Sequence, residues 1–338
     1  VVVLDDEVRE FLAAAEGVTT GGDPAQQRQS ILRLSDRLFA RFGESGPEVA
    51  SVTDHWVTHD GGRCRVRVYR PDVPGALPVH LFIHGGAYWL GSTDESVNDA
   101  TCRERAVGAG CVVVSVDYSL APEHPFPAAL ADCYAALVWS QTNADALGID
   151  ADRITVGGIS AGGTLAAAVA LAARVRNGPA LLLQLLEVPL LDLSLETMRR
   201  SGVGDDFGIN EADLGWSIKQ YLPMTNMLED PLASPLCAED LAGLPPALVL
   251  TAERDPLRDD GRRYAERLEQ AGVPVRLVQQ PGAVHGSLQL TATWKPARAW
   301  RHEVVAALRT ANGEHSPTMT THHQLDPAPR FEHNQGGT

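Results

Sequence analysis

No run of eighteen apolar residues occurs in the chain, and its longest candidates, 165–173 and 180–186, suit buried elements better than a bilayer span, so a membrane-crossing helix is not expected. Cysteine is scarce. The five present, Cys64, Cys102, Cys111, Cys133 and Cys237, are odd in number, far apart and free of Cys-x-x-Cys pairs, which argues against a disulfide framework or a zinc site and favours reduced, buried thiols. Positive charge is short as well: 28 Lys and Arg face 43 Asp and Glu, and the net −15 repels phosphate backbones and anionic lipid, so nucleic acid is not an expected partner. No positively charged stretch with an apolar core opens the sequence, so a secretory leader is not expected and the expected location is cytoplasmic.

What is present is ordinary globular composition, 44% hydrophobic and 21% charged over 338 residues, enough for a sizeable core. Apolar positions at helical spacing (Val8, Phe11, Leu12, then Ile31, Leu34, Leu38, Phe39) predict two helices within residues 1–49. Alternation through Cys64, Val66, Val68 and Tyr69 after Asp60-Gly61-Gly62 predicts a hairpin. Continuous apolar runs at 79–83, 111–116, 154–156, 181–186 and 247–250 read as strands covered on both faces, with helices at 96–109, 128–144, 161–176, 259–271 and 296–310 between and after them. This alternation predicts an α/β fold with a mostly parallel sheet. Segment 194–225, seeded with Phe207, Trp216 and Tyr221, interrupts the rhythm and reads as an insertion that covers a site, while residues beyond Asn312 read as a disordered tail whose His315, His322, His323 and His333 are solvated.

Gly158-Ile159-Ser160-Ala161-Gly162 fits Gly-x-Ser-x-Gly and lies between a predicted strand and a predicted helix. Such a turn is too tight for side chains at its flanks, which calls for Gly158 and Gly162 and exposes the Ser160 hydroxyl as a nucleophile. The alternative is a glycine turn that merely closes a βα unit. Ala161 opens the following helix, where free amides favour negative charge, and is one expected oxyanion donor. Gly85 and Gly86, directly after the strand at 79–83, are the others. The spacing of His84-Gly85-Gly86-Ala87-Tyr88-Trp89 is wrong for a dinucleotide fingerprint, so no nicotinamide cofactor is expected, and His84 reads as a loop brace rather than a base.

A serine alcohol needs a general base, and the base an orienting carboxylate. Asp255 follows the strand at 247–250, with Pro256 ending it, and is preferred over Glu253 and Asp259. His285 follows a strand at 275–278 and precedes Gly286, whereas His302 falls on a helix. Tyr88, Trp89, Ile159 and Leu288 are candidate pocket walls, although aromatics beside strands are more often ordinary core. Glu187 either faces the site or is a rim carboxylate in water.

His84-Gly85-Gly86-Ala87, the block from Asp117 through Ala128, Gly158 to Gly163, Asp255-Pro256-Leu257 and His285-Gly286 are collinear, and from about residue 51 to 310 the chain resembles the hormone-sensitive lipase family of α/β-hydrolases. The resemblance implies an eight-stranded sheet, a helical cap from residues 1–50 plus the insertion 194–228, a core of 51–193 and 229–312, and a tail of 313–338. It further implies hydrolysis of carboxylic esters with short acyl or small aromatic groups, a small-molecule ester as partner, no metal or organic cofactor, and a homodimer. Three positions depart from the family pattern: Ile159 stands for an acid, Ser119 for arginine and Ser287 for phenylalanine. An amidase, a carbamate hydrolase or an acyltransferase would use the same residues, while a small-molecule receptor on this fold would not need His285.

Overall fold

The computed structural model describes residues 4–16, 22–204 and 207–313. Helices α1 (Asp6–Ala15) and α2 (Pro24–Phe42) come first, followed by strands β1 (Ser51–His59), β2 (Gly62–Arg70) and β3 (Leu77–Ile83). Then α3 (Ser96–Ala109), β4 (Val112–Asp117), α4 (Ala128–Thr142), α5 (Ala144–Leu147), β5 (Ile149–Ile159) and α6 (Ala161–Val175) alternate. The second half runs β6 (Leu183–Glu187), α7 (Glu196–Arg200), α8 (Glu211–Tyr221), β7 (Ala247–Ala252), α9 (Arg258–Gln270), β8 (Val275–Gln280) and α10 (Lys295–Ala311). Residues 314–338, where a tail was expected, lie outside the described residues.

The eight strands form one sheet in the order β1-β2-β4-β3-β5-β6-β7-β8. The β1–β2 hairpin and the β2–β4 pair are antiparallel, and every pair from β4–β3 to β7–β8 is parallel. β3 is buried along its whole length, as a strand covered on both faces must be. The chain leaves β3 toward β4 on one side and returns to β5 on the other. Their carboxyl ends therefore flank a topological switch point, where open α/β sheets hold ligands.

Two elements differ from expectation. The helix expected over 128–144 stops at Thr142, where Asn143 turns its side-chain amide onto the Trp139 carbonyl (2.8 Å) and a short α5 follows. The strand expected at 154–156 extends from Ile149 to Ile159, pairing with both β3 and β6. Helix α6 is apolar on every side, with residues 161 through 173 all buried, and its alanines and glycines let it lie enclosed against the sheet. Four cysteines are buried as expected, but Cys237 is exposed. Asp132 on α4 takes the Ser119 amide at 2.7 Å and His59 Nε2 at 2.6 Å, so Ser119 meets this carboxylate through its backbone.

Candidate active site

The Ser160 turn follows from packing of backbone on backbone. A Cβ on Gly158 would strike the Gly162 carbonyl, and one on Gly162 would strike the carbonyl oxygens of Ile83 and His84, well inside contact distance. The turn can therefore sit against the end of β3 only with glycine at both places. Ser160 itself adopts φ 55° and ψ −120°, a conformation that costs an L residue on the order of 1–3 kcal/mol and persists only where the surroundings impose it. Its amide donates to the Glu187 carbonyl at 2.8 Å, and its carbonyl accepts from Thr164 at 3.1 Å.

The three side chains expected to act together converge from three carboxyl-end loops. His285 Nε2 lies 2.9 Å from Ser160 Oγ, and His285 Nδ1 lies 2.7 Å from Asp255 Oδ2. Asp255 is fully buried, and its other oxygen accepts the Leu257 amide at 2.9 Å, which fixes the carboxylate plane. The rival acids are occupied elsewhere: Glu253 takes the Gly282 amide at 2.7 Å, and Asp259 pairs with Arg258 and Arg262. His302 is exposed on α10. In the histidine loop, buried Ser287 donates from its hydroxyl to the Val284 carbonyl (2.8 Å) and accepts the Val284 amide (3.1 Å), a brace that the family's phenylalanine could not make.

Gly85 faces Ser160 closely: a Cβ on it would lie 3.0 Å from the Ile159 carbonyl oxygen and 3.5 Å from Ser160 Cβ. Gly86, at φ 127°, begins a turn that continues through Ala87 and Tyr88, both at positive φ, and closes with amides of Trp89 and Leu90 on the Gly86 carbonyl. Ala161 is the first residue of α6, whose leading amides have no partner within the helix. His84 stacks on Tyr118 with ring centroids 4.3 Å apart, and Nδ1 meets the Gly85 carbonyl at 2.8 Å. Burial holds its imidazole below the ordinary range, as fits a brace.

The expected pocket wall is where the structure disagrees. Tyr88 and Trp89 are 0% and 1% exposed and pack beneath α8, with Tyr88 stacked on Tyr221 at 3.8 Å and the Trp89 indole donating to Ser217 at 3.0 Å. They are core, because the left-handed turn aims both rings inward. Glu187 is neither a pocket group nor a wetted rim carboxylate. It is 2% exposed and ion-paired with Arg105, and it accepts the Trp300 indole N–H at 2.8 Å. Leu288 is buried beside it, lining with Glu187 and Trp300 a cavity of about 10 Å³, room for one water at most. Ile159, half-buried at the end of β5, is the member of the five that stays at the surface of the site.

Sequence reasoning missed Arg105 and Phe11. Arg105 lies in the buried face of α3 with Thr101, Cys102, Ala106 and Ala109, and a lone guanidinium in such a stripe was the available signal. Phe11 on α1 reaches the histidine loop, where a Cβ on Gly286 would lie 2.9 Å from its ring. No spacing announces that contact.

Residues 80–289 match the family described as having the alpha/beta hydrolase fold. The chain is 43% identical over 307 residues to the carboxylesterase NlhH of Mycobacterium tuberculosis, covering 88% of this chain and 91% of that protein. It is 40% identical over 287 residues to an arylesterase of Saccharolobus solfataricus, covering 84% and 92%. Among solved structures, the hyperthermophilic esterase from Pyrobaculum calidifontis superposes with a TM-score of 0.85 at 36% identity, covering 91% of this chain and 99% of that one. With its ordered motifs, its sheet and these relatives, the chain belongs to the hormone-sensitive-lipase-like family of α/β-hydrolases.

Proposed function

We propose that the protein is a serine carboxylesterase acting through an acyl-enzyme on Ser160. The observation that carries this reading is the continuous hydrogen-bonded line from Ser160 Oγ through His285 to buried Asp255. His285 takes the serine proton as the hydroxyl attacks the ester carbonyl, and Asp255 keeps the imidazole in the tautomer that accepts it. The amides of Gly85, Gly86 and Ala161 hold the oxyanion. Protonation by His285 expels the alcohol, and a water activated by the same imidazole then releases the acid. Beyond the substrate and water these steps use only groups of the chain, and no metal or organic cofactor enters them.

The substrate class in this reading is esters of short acyl chains or small aromatic groups. Residues 1–50 and 194–228 form its cap, supported by Phe11 against Gly286, by Leu12 beside Gly208 and by the Tyr221 stack on Tyr88. We further propose that the enzyme is a cytoplasmic homodimer; light scattering of the purified protein tests its oligomeric state. Among the described residues no helix is long and apolar enough to cross a membrane. The decisive experiment is a series of p-nitrophenyl esters of increasing acyl length with wild type and Ser160→Ala. A loss of about 10³-fold or more in the variant is expected, and equal rates would refute the serine mechanism.

A further inference from the structure

Glu187 is gripped from two sides. One carboxylate oxygen pairs with Nη2 of Arg105 from α3, and the other accepts Trp300 Nε1 from α10. Arg105 also donates through Nη1 to His80 Nε2 on β3 at 3.1 Å, so that nitrogen carries no proton, and the protonated Nδ1 reaches Thr155 Oγ1 at 3.0 Å. Burial and the neighbouring guanidinium keep His80 neutral, well below its ordinary range. The guanidinium lies over the Phe82 ring at 4.7 Å. This polar network spans three strands and two helices on the face of the sheet covered by α3 and α10.

The main chain of Glu187 shows what the grip restrains. Its carbonyl accepts the Ser160 amide, and the next residue, Val188, sits at φ 41°. β6 thus ends beside one left-handed residue and runs directly into another. The peptide between Glu187 and Val188 is held by backbone on both sides, its carbonyl by the Ser160 amide and its N–H by the Leu250 carbonyl at 2.8 Å, and the side-chain clamp adds a third restraint where the chain turns out of the strand.

We propose that Glu187 is a positioning residue for Ser160: the clamp of Arg105 and Trp300 on its carboxylate fixes the carbonyl that holds the nucleophile's amide. The proposal rests on the reading of Ser160 as nucleophile. The clamp acts on the angle of attack and touches no substrate, so its loss lowers kcat and leaves KM. Its effect also persists when the charge is removed cleanly, which separates positioning from fold stability.

The test compares wild type, Glu187→Leu, Trp300→Phe, the double variant Arg105→Met with Glu187→Leu, and Ser160→Ala. Readouts are kcat and KM for p-nitrophenyl butyrate per site titrated with a p-nitrophenyl phosphonate, the rate of that phosphonylation, and Tm. Glu187→Leu is expected to lower kcat ten- to a hundredfold with KM within threefold, and Trp300→Phe to lower it two- to fivefold. The double variant, which leaves no charge unpaired, regains Tm over Glu187→Leu yet keeps its low kcat, and phosphonylation slows in step. If Glu187→Leu does not fold, the double variant decides. Wild-type kcat in the double variant, or a raised KM at unchanged kcat in any of them, overturns the proposal. Undiminished hydrolysis by Ser160→Ala would instead remove the esterase reading itself.

Discussion

The turn that carries Ser160 and the loop that carries His285 meet at 2.9 Å, but different parts of the chain hold them. The serine turn is closed by its own neighbours in the sheet, with Gly158 and Gly162 against β3 and the Ser160 amide on β6. The histidine loop, braced within by Ser287 and by Glu253 on the Gly282 amide, borrows further support from the start of the chain. Phe11 packs on Gly286, Asp5 accepts the Trp294 indole N–H at 2.7 Å, the Phe42 carbonyl accepts the Ala292 amide at 2.9 Å, and Thr291 takes the Glu44 amide at 2.8 Å. Half of the site is rigid by local geometry, and the other half stands on a docked segment. Perturbing the docking should therefore tune activity, whereas perturbing the turn should abolish it.

The sharpest break of that contrast is Gly162→Ala. The new methyl would strike the Ile83 and His84 carbonyls at the end of β3, and backbone held in the sheet cannot swing aside. A loss of several kcal/mol of stability and of essentially all activity is expected, read by thermal melts and ester turnover. Gly286→Ala should be milder. Gly286 has φ −90°, open to any residue, and the clash is with the edge of the Phe11 ring, so about a tenfold fall in kcat and about 1–2 kcal/mol of stability are expected. Adding Phe11→Leu should restore part of both, and a strictly additive pair would show that the ring does not press on the loop.

Trp294→Phe removes one bond between the loop and Asp5. A cost of about 1 kcal/mol is expected, with faster amide exchange in residues 283–294 and unchanged exchange around Ser160. The smallest effect concerns the other attachment of α2, where Asp36 accepts the Ser96 hydroxyl at 2.8 Å beside Glu95. Burial, and then the Asp36 carboxylate, push the Glu95 carboxyl from its ordinary 4.5 up to about 7. An acid raised in the folded state favours folding when protonated. Its contribution is complete below about pH 4.5 and lost as pH rises through about 7. Melts at pH 5 and pH 6 should show wild type losing about 1 kcal/mol more than Glu95→Gln across that one unit, and parallel curves would contradict this.

Much of this was legible from residue order because the constraints are local. A glycine turn between strand and helix, apolar runs sheathed on both faces, and loops after strands all announce themselves within a few positions. The errors share the opposite property. Glu187 was read as a group at the site or its rim because its partners lie 82 and 113 residues away in Arg105 and Trp300. For Tyr88 and Trp89 the sequence left pocket wall and core both open, because neither the left-handed backbone at Ala87 and Tyr88 nor the helix above the two rings shows in it. The break between α4 and α5 falls at Asn143, whose side-chain amide shares the Trp139 carbonyl with its own backbone amide, a local cap that helix periodicity does not register.

By itself the sequence determined where backbone must come close and which side chains carry protons, since glycine sterics and side-chain chemistry need no distant partner. Only the tertiary structure decided which carboxylate meets the imidazole, what holds the histidine loop, and that Glu187 is spent on an ion pair. Those outcomes depend on contacts between segments up to 289 residues apart, and such contacts exist only once the sheet has brought them together.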